Sequence, residues 1–428
     1  MLSPADNERL TRVGPGTPMG NLFRRYWIPA LLAEEVPAPD SAPVRVRLLG
    51  EDLVAFRDSE GVVGLVSAFC PHRRAPMFFG RNEECGLRCV YHGWKFDRNG
   101  ACVDMPSEPP DSLFKTKVTI AAYPTWEGGG MIWAYLGPAE LRPAPPDHEL
   151  VRTPPDRRYV SKSFEDCNFL QALEGGIDPT HATIMHNGHI GDRSFLNDYD
   201  RLVAELNLDR TDYGFTYTGV RPRGKHTWVR GYHWIMPSFH MRARVEGSFA
   251  GFGRPKAELD EIATIDGHIW IPIDDEHTWV YNFGYAHNPS EKLSPQQANL
   301  IETRLGRGEY LDQNYVSKYN RSNDYGIDRQ VQKTQSMTGI PGINTQDFAL
   351  QEGMGATVDR SQEHLGTTDR AIITLRQILL ESLDTLERGG QLRAIDPATY
   401  RNVRSIDRMV DKDLDWRAVV KPDFVAKF

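Results

Sequence analysis

Cys70-Pro71-His72 and, after sixteen intervening residues, Cys89-Val90-Tyr91-His92 are the stretch on which the reading of this chain turns. Each half pairs one thiol with one imidazole, so two loops together offer two sulfur and two nitrogen donors. Such a set suits a tetrahedral zinc ion or a [2Fe–2S] cluster in which two histidines replace two cysteines on one iron. Zinc fingers usually take both thiols from one loop and both imidazoles from another. Here each loop supplies one of each, which favours the cluster. Pro71 and Gly93 suit tight turns whose backbone N–H groups point at bridging sulfides.

Around this core the composition sets wide bounds. A chain of 428 residues is too long for one small core and suits two or three domains. The net charge of -8 comes without a polybasic run, which argues against nucleic acid and anionic membrane as partners. Met1-Leu2-Ser3-Pro4-Ala5-Asp6 lacks the basic-then-apolar layout of a signal peptide, and no apolar run reaches membrane-spanning length. A cytoplasmic enzyme is expected. Five cysteines form an odd, sparse set, so no disulfide framework is expected. Cys85, Cys102 and Cys167 read as small buried hydrophobes.

Taken in order, residues 1–41 read as a lead-in ending in the proline-rich Val36-Pro37-Ala38-Pro39. Short alternating strands follow at 44–48, 53–57 and 62–66, and Met131–Leu136 closes the set. Residues 42–140 are therefore expected to form an all-β domain with the two Cys/His loops at its tips. The Pro143–Pro155 region reads as a linker. A second domain, 159–428, carries a glycine-interrupted helical stretch at 168–184. Antiparallel strand pairs are expected at 227–235 with 240–245 and at 268–273 with 278–285. Ser294-Pro295 reads as the start of a helix to about 305. Residues 306–365 read as loop, and 368–387 as an amphipathic helix stopped by Gly389-Gly390.

The helical stretch holds a second candidate site, Asp178-Pro179-Thr180-His181 followed by His186. On a regular helix two histidines five apart point about 140° from each other. Pro179 and the Gly175-Gly176 pair predict an irregular helix that brings both rings to one ion. A cluster able to deliver electrons, on the same chain, calls for Fe(II) held by two histidines and one carboxylate with positions open for O2. The residues alone leave that carboxylate open among Asp347, Glu352, Asp359 and Glu363.

Cys70-Pro71-His72-Arg73 with Cys89-Val90-Tyr91-His92-Gly93-Trp94 resembles the Rieske motif of ring-hydroxylating oxygenases, and the similarity runs through most of the chain. Asp178-Pro179-Thr180-His181 with His186 resembles the mononuclear-iron motif of that family. The run from Gln346-Asp347 to Glu352-Gly353 resembles the segment that carries the third ligand. The resemblance implies a Rieske [2Fe–2S] cluster on Cys70, His72, Cys89 and His92. It also implies a mononuclear Fe(II) on His181, His186 and Asp347, with Glu352 as the alternative carboxylate.

The fold implied is α+β: an all-β Rieske domain, then a catalytic domain whose antiparallel sheet is flanked by helices in a helix-grip-like arrangement. Asp178 is implied to bridge a cluster histidine of one subunit to an iron histidine of the next, in a homotrimer or stacked trimers.

Glu8–Gly20, His72-Arg73-Arg74-Ala75 and Asp359–Gly366 resemble the phthalate dioxygenase branch, which includes phthalate and chlorobenzoate dioxygenases and some biaryl O-demethylases. Members take electrons from NADH through a separate flavin and iron–sulfur reductase, and O2 is the co-substrate. An aromatic acid is thus the expected substrate, by cis-dihydroxylation or by monooxygenation and O-demethylation. It needs a cation: Arg230, Arg242 and Arg244 are the candidates, with Arg244 preferred and with Arg242 and Arg244 on one sheet face. Phe195, Phe239 and Trp270 are candidates for the pocket wall. The rival readings are an electron relay holding two irons rather than three, and a zinc-stabilised binding module.

Overall fold

The computed structural model describes residues 2–187, 203–244, 263–293 and 310–428. Two compact units divide the chain: Val13–Pro145, and Met1–Arg12 together with Pro146–Phe428. The first begins well inside the expected lead-in. Trp27–Leu32 (β1) is buried along its whole length and pairs with β11, so it completes the unit rather than preceding it.

In the first unit the strands are β1, β2 (Val44–Leu48), β3 (Glu51–Arg57), β4 (Val63–Ser67), β5 (Arg81–Glu83) and β6 (Gly86–Arg88). They continue with β7 (Lys95–Phe96), β8 (Cys102–Asp104), β9 (Ala122–Tyr123), β10 (Thr125–Gly128) and β11 (Met131–Tyr135). These form three antiparallel sheets, ordered β1-β11-β10, β2-β3-β4-β9 and β5-β6-β7-β8. The two Cys/His loops leave β4 and β6. Beneath them lies a core of Val54, Phe56, Val66, Met77, Leu87 and Phe96, with Cys70, Cys89 and Cys102 among the same buried residues.

The second unit is built on one antiparallel sheet: β12 (Arg158–Glu165), β13 (Glu205–Arg210), β14 (Gly214–Arg223), β15 (His226–Ile235), β16 (Phe239–Arg244), β17 (Thr264–Pro272), β18 (Thr278–Ala286) and β19 (Ile406–Asp411). The order is β12-β18-β17-β16-β15-β14-β13, and the first half of β15 pairs with β19. Both strand pairs expected from alternation are present. Five helices matter to the site: α1 (Pro4–Thr11), α2 (Phe169–Ile177), α3 (His181–Ile184), α4 (Ile343–Gly353) and α5 (Arg370–Glu387). Helix α5 buries Leu375, Ile378, Leu379 and Leu383, each adding about 1.5–3 kcal/mol by leaving water. Helix α4 falls where loop was expected. Its flanks, Pro341-Gly342 and Gly353-Met354-Gly355, are turn-like, but Asn344, Phe348 and Gln351 bury one face between them. The expected helix from 294 lies outside the described residues.

The proline-rich segment before Arg158 is no free linker. Glu149 is fully buried, accepting from Arg404 and from the Tyr285 hydroxyl at 2.9 Å. His148 stacks on Phe239 at 4.0 Å between ring centroids. Phe239 is thus core.

A second buried charge group ties the helices together. Glu174 on α2 accepts from Arg376 Nε on α5 at 2.5 Å and from Arg360 Nη2 at 2.9 Å, while Arg376 also grips both oxygens of Glu363. Burial pushes the Glu174 carboxyl up, but the two guanidiniums outweigh it and hold it below its ordinary 4.5. A carboxyl with a lowered folded-state pKa adds stability above its unfolded value and loses it as pH falls through the folded one. Resistance to urea is therefore expected to drop on acidification below pH 4.5. Arg376→Ala, by leaving Glu174 short of a partner, should cost about 3–5 kcal/mol at neutral pH in the same unfolding measurement.

Candidate metal centres and the cavity between helices and sheet

The two Cys/His loops of the first unit share one hydrogen-bond pattern. Cys70 N donates to Ala75 O at 2.9 Å and Cys70 O accepts from Arg74 N; Cys89 N donates to Trp94 O at 2.8 Å and Cys89 O accepts from Gly93 N. In both, the residue four past the cysteine is left-handed: Arg74 at φ 61° and Gly93 at φ 79°. Gly93 serves a second need, because a Cβ there would meet Pro106 Cγ at 2.5 Å.

The thiols of Cys70 and Cys89 are buried, whereas His72 and His92 lie at the rim. The two imidazoles are 4.4 Å apart between centroids, and His72 stacks on Trp94. His72 Nδ1 is buried without a hydrogen-bond partner. Burial, with Cys89 alongside, pushes the Cys70 thiol up to about 11. Two adjoining buried thiols and an orphaned imidazole nitrogen fit a group that binds as a strong cation to thiolates.

In the second unit α2 ends at Ile177 because Asp178 precedes Pro179 and takes extended backbone. The Tyr217 hydroxyl holds the end of the helix, donating to Ile177 O at 2.6 Å. Gly175 and Gly176 let two neighbours close in: a Cβ would meet Gln351 Nε2 at 1.9 Å in one case and Trp270 Cη2 at 2.2 Å in the other. Asp178 then restarts the chain, accepting from Thr180 N at 2.7 Å and His181 N at 3.2 Å. The new helix α3 runs from His181 to Ile184, Met185 keeps helical backbone beyond it, and His186 follows directly.

The imidazoles of His181 and His186 stand 5.2 Å apart between centroids. Asp347, projecting from α4, places Oδ1 at 3.5 Å from His181 Nε2 and 3.4 Å from His186 Nε2. One donor atom from each of the three lies within 4.8 Å of the others. Bonds of about 2.1 Å to one ion give separations of this order, so the trio fits a two-histidine, one-carboxylate face.

Their surroundings orient the donors. Gln346 Nε2 donates to Ile340 O at 2.9 Å, which turns its Oε1 to accept from His186 Nδ1 at 2.9 Å and leaves Nε2 bare toward Asp347. His181 Nδ1 is 3.4 Å from Asp178 Oδ2, a charge contact rather than a full hydrogen bond. Burial alone would lower His181, but Asp178 and Asp347 together hold it up near 10. The alternative carboxylates are occupied elsewhere. Glu352 accepts from the Tyr325 hydroxyl and Asp166 N, Asp359 accepts from Ser361 N and Oγ, and Glu363 pairs with Arg376.

A cavity of about 90 Å³ lies against this trio and is closed on its far side by the sheet. Period-two alternation and the strand registers put Arg221, Trp228, Arg230, Tyr232, Arg242 and Arg244 on one face, with Asp266, His268 and Trp270 beside them. Asp266 lies 2.8 Å from Arg242 Nε and also pairs with Arg244. Burial would raise its carboxyl; Arg244, Arg242 and Arg230 bring it down to about 2. His268 Nε2 must accept from Arg242 Nη2 at 3.0 Å, since a guanidinium only donates, and its Nδ1 therefore donates to Asn282 Oδ1 at 2.7 Å.

Arg230 donates through Nε to Ala243 O at 3.0 Å, while its Nη2 is buried with no hydrogen-bond partner. Arg221, whose Nη2 reaches Pro179 O at 3.2 Å, was not among the sequence candidates, nor were Gln346 and Glu165. Trp270 lines the cavity; Phe239 does not; Phe195 lies outside the described residues.

Comparison with known proteins gives the family. Residues 26–124 match the Rieske [2Fe-2S] domain and residues 134–426 the LigXa C-terminal domain like family. The chain is 36% identical to the phthalate 4,5-dioxygenase oxygenase subunit of Pseudomonas putida, over 97% of this chain and 94% of that one. It is 37% identical to the 3-chlorobenzoate-3,4-dioxygenase oxygenase subunit of Comamonas testosteroni, over 96% of both. It is 34% identical to the 5,5'-dehydrodivanillate O-demethylase oxygenase subunit of a Sphingobium species, over 94% of this chain and 86% of that one. A crystal structure of dicamba monooxygenase with dicamba shares the fold, at a TM-score of 0.61 and 20% identity over 86% of this chain and 98% of that one. A Rieske [2Fe–2S] cluster and a mononuclear non-heme iron are the cofactors of such a protein. Among the described residues, no helix is long and apolar enough to cross a membrane. Two loops built alike around paired thiols and imidazoles, and a trio of donors against an arginine-walled cavity, thus have one origin: the chain belongs to the Rieske ring-hydroxylating oxygenases, as an oxygenase subunit of the branch with a LigXa-like C-terminal domain.

Proposed function

We propose that this chain is the terminal oxygenase that receives NADH-derived electrons from a separate flavin and iron–sulfur reductase and uses O2 to hydroxylate an aromatic carboxylate of the phthalate or halobenzoate kind, as a cis-dihydroxylation. Cys70, His72, Cys89 and His92 would hold the cluster, and His181, His186 and Asp347 the ferrous ion. Bound there, the two groups supply electron storage and the site of O2 reduction. Gln346 keeps His186 in the tautomer that points Nε2 inward. Asp178, against His181 Nδ1, is placed to fix the other imidazole, and its side chain keeps 21% of its exposure. That exposure supports the reading in which it bridges to a cluster histidine of a neighbouring copy in a homotrimer or stacked trimers.

The observation that carries the substrate class is the sheet face. Four arginines line the cavity with Asp266 as their close counter-charge, and Arg230 Nη2 is left without a partner. A buried guanidinium lacking its hydrogen bonds is costly, and a carboxylate relieves it with charge-assisted bonds. Arg244 lines the same cavity and pairs with Asp266. Trp228, Tyr232 and Trp270 supply flat apolar walls for the ring. O-demethylation of a methoxylated biaryl acid is the second reading, supported by the 34% identical O-demethylase subunit. Product analysis with NADH, reductase and a panel of phthalates, halobenzoates and methoxylated biaryls separates a diol from a phenol plus formaldehyde.

Iron analysis should return three irons per chain; two would leave only an electron relay. Asp347→Ala should keep the visible spectrum of the cluster while losing the third iron and all product; an active variant removes Asp347 from the ligand set. In single-turnover mixing Asp178→Asn should retain all iron yet oxidise its cluster more slowly, and an unchanged rate rules out the bridge. Arg230→Leu and Arg244→Leu should each raise KM for the acid by about 10–100-fold, the value of a hydrogen bond to a charged group, with the amide analogue less affected.

A further inference from the structure

One wall of the cavity carries a carboxyl that the reading above leaves idle. Glu165 is the last residue of β12, is 1% exposed and lines the cavity together with His181, His186 and Asp347. Its recorded polar contact is the Cys167 thiol, with Sγ 3.5 Å from Oε1. Among the described residues no lysine, arginine or histidine pairs with it. The titratable groups around it are Cys167 on the following turn and Glu352 and Asp347 on α4; the two carboxylates oppose a charge on Glu165 and the thiol contact favours one only weakly. Burial, followed by these two carboxylates, holds the Glu165 carboxyl well above the usual range. A buried carboxyl paired with no lysine, arginine or histidine favours its neutral form.

The reaction needs protons as well as electrons. Dihydroxylation adds both oxygen atoms of O2 to the ring and takes up two electrons and two protons. Monooxygenation puts one atom into the substrate and releases the other as water, again with two electrons and two protons. The reductase supplies the electrons. The arginines of the sheet face hold their protons too firmly to donate them, and the proposed ligand histidines present bare nitrogens to the ion.

We infer that Glu165 is the proton donor of the iron cavity, giving up its carboxyl proton as O2 is reduced there and regaining one from solvent before the next turnover. The inference rests on the ion lying at His181, His186 and Asp347, but not on the identity of the aromatic acid.

Full-length protein is tested in two states, with the mononuclear iron chelated away and with Fe(II) restored. Infrared spectra at neutral pH should show the carbonyl stretch of a protonated carboxylic acid in both states, shifted in D2O and missing from Glu165→Gln. Turnover of Glu165→Gln should fall about 100-fold in kcat, as for loss of a general acid, with KM and bound iron unchanged. If Glu165→Gln does not fold, Glu165→Asp replaces it, and the acid band must then move in frequency. No acid band in wild type, a band that survives the glutamine or stays unmoved in the aspartate variant, or undiminished kcat in Glu165→Gln overturns the inference. Iron bound at full stoichiometry in these samples leaves the three-residue site standing, whereas wild type that takes up no third iron sinks that site first.

Discussion

The donors of the second unit are positioned by a break in the helical stretch just ahead of the histidines. The helix stops at Asp178, where Pro179 disfavours helical backbone, and restarts at His181. The break carries a cost, since each end exposes backbone groups that must find partners. Asp178 meets two of them at the start of α3, Tyr217 meets Ile177 O, and Arg221 meets Pro179 O. Deeper in, the clamp of Arg360 and Arg376 on Glu174 fixes α2 one turn before the break, and Trp270 presses against Gly176. The position of the donors is thus inherited from buried contacts that touch no metal.

What the sequence showed follows from how local each signal was. The Cys/His loops could be read because donor types and turn residues lie within a few positions of each other. The strand pairs around 235 and 275 were legible because alternation survives where one sheet face is polar. Asp347 was ambiguous for a physical reason: four carboxylates sit within seventeen residues, and only their partners tell them apart. Tyr325, Ser361 and Arg376 claim the other three, but these hydrogen bonds appear only after folding. Helix α4 was missed because glycine and proline crowd both its ends and one face is only modestly apolar. The lead-in boundary failed for the opposite cause. Trp27–Leu32 is apolar on both faces, so it shows no alternation, although it is a fully buried strand.

Arg221, Glu165 and Gln346 share a different kind of invisibility. Arg221 joins the cavity through the pairing of β14 with β15, which sets it opposite Trp228. Glu165 ends a strand and reads as an ordinary surface acid until β18 is laid beside it. Gln346 stands next to the residue that drew attention, and its meaning lies in which way its amide points. Sequence pattern reports which side chains share a face. It does not report which of them are then left without a partner, and that is the property from which chemistry at a buried site follows.

The cavity is divided by charge, and the division has a directional consequence. Its helix wall is negative at Asp178 and Asp347, where a cation belongs; its sheet wall is positive at Arg221, Arg230, Arg242 and Arg244, with Asp266 cancelling one of the four. For the aromatic acid proposed above, the sheet wall is the side that attracts the carboxylate. On the proposed function, a carboxylate held by the sheet wall would leave the far part of the ring toward the three donors of the helix wall. Two charges of opposite sign in a low dielectric hold that orientation more firmly than shape alone would. On that reading, regiochemistry would follow the distance between the guanidiniums of the sheet wall and the three donors of the helix wall. Both lie on regular elements, a sheet register on one side and an interrupted helix on the other.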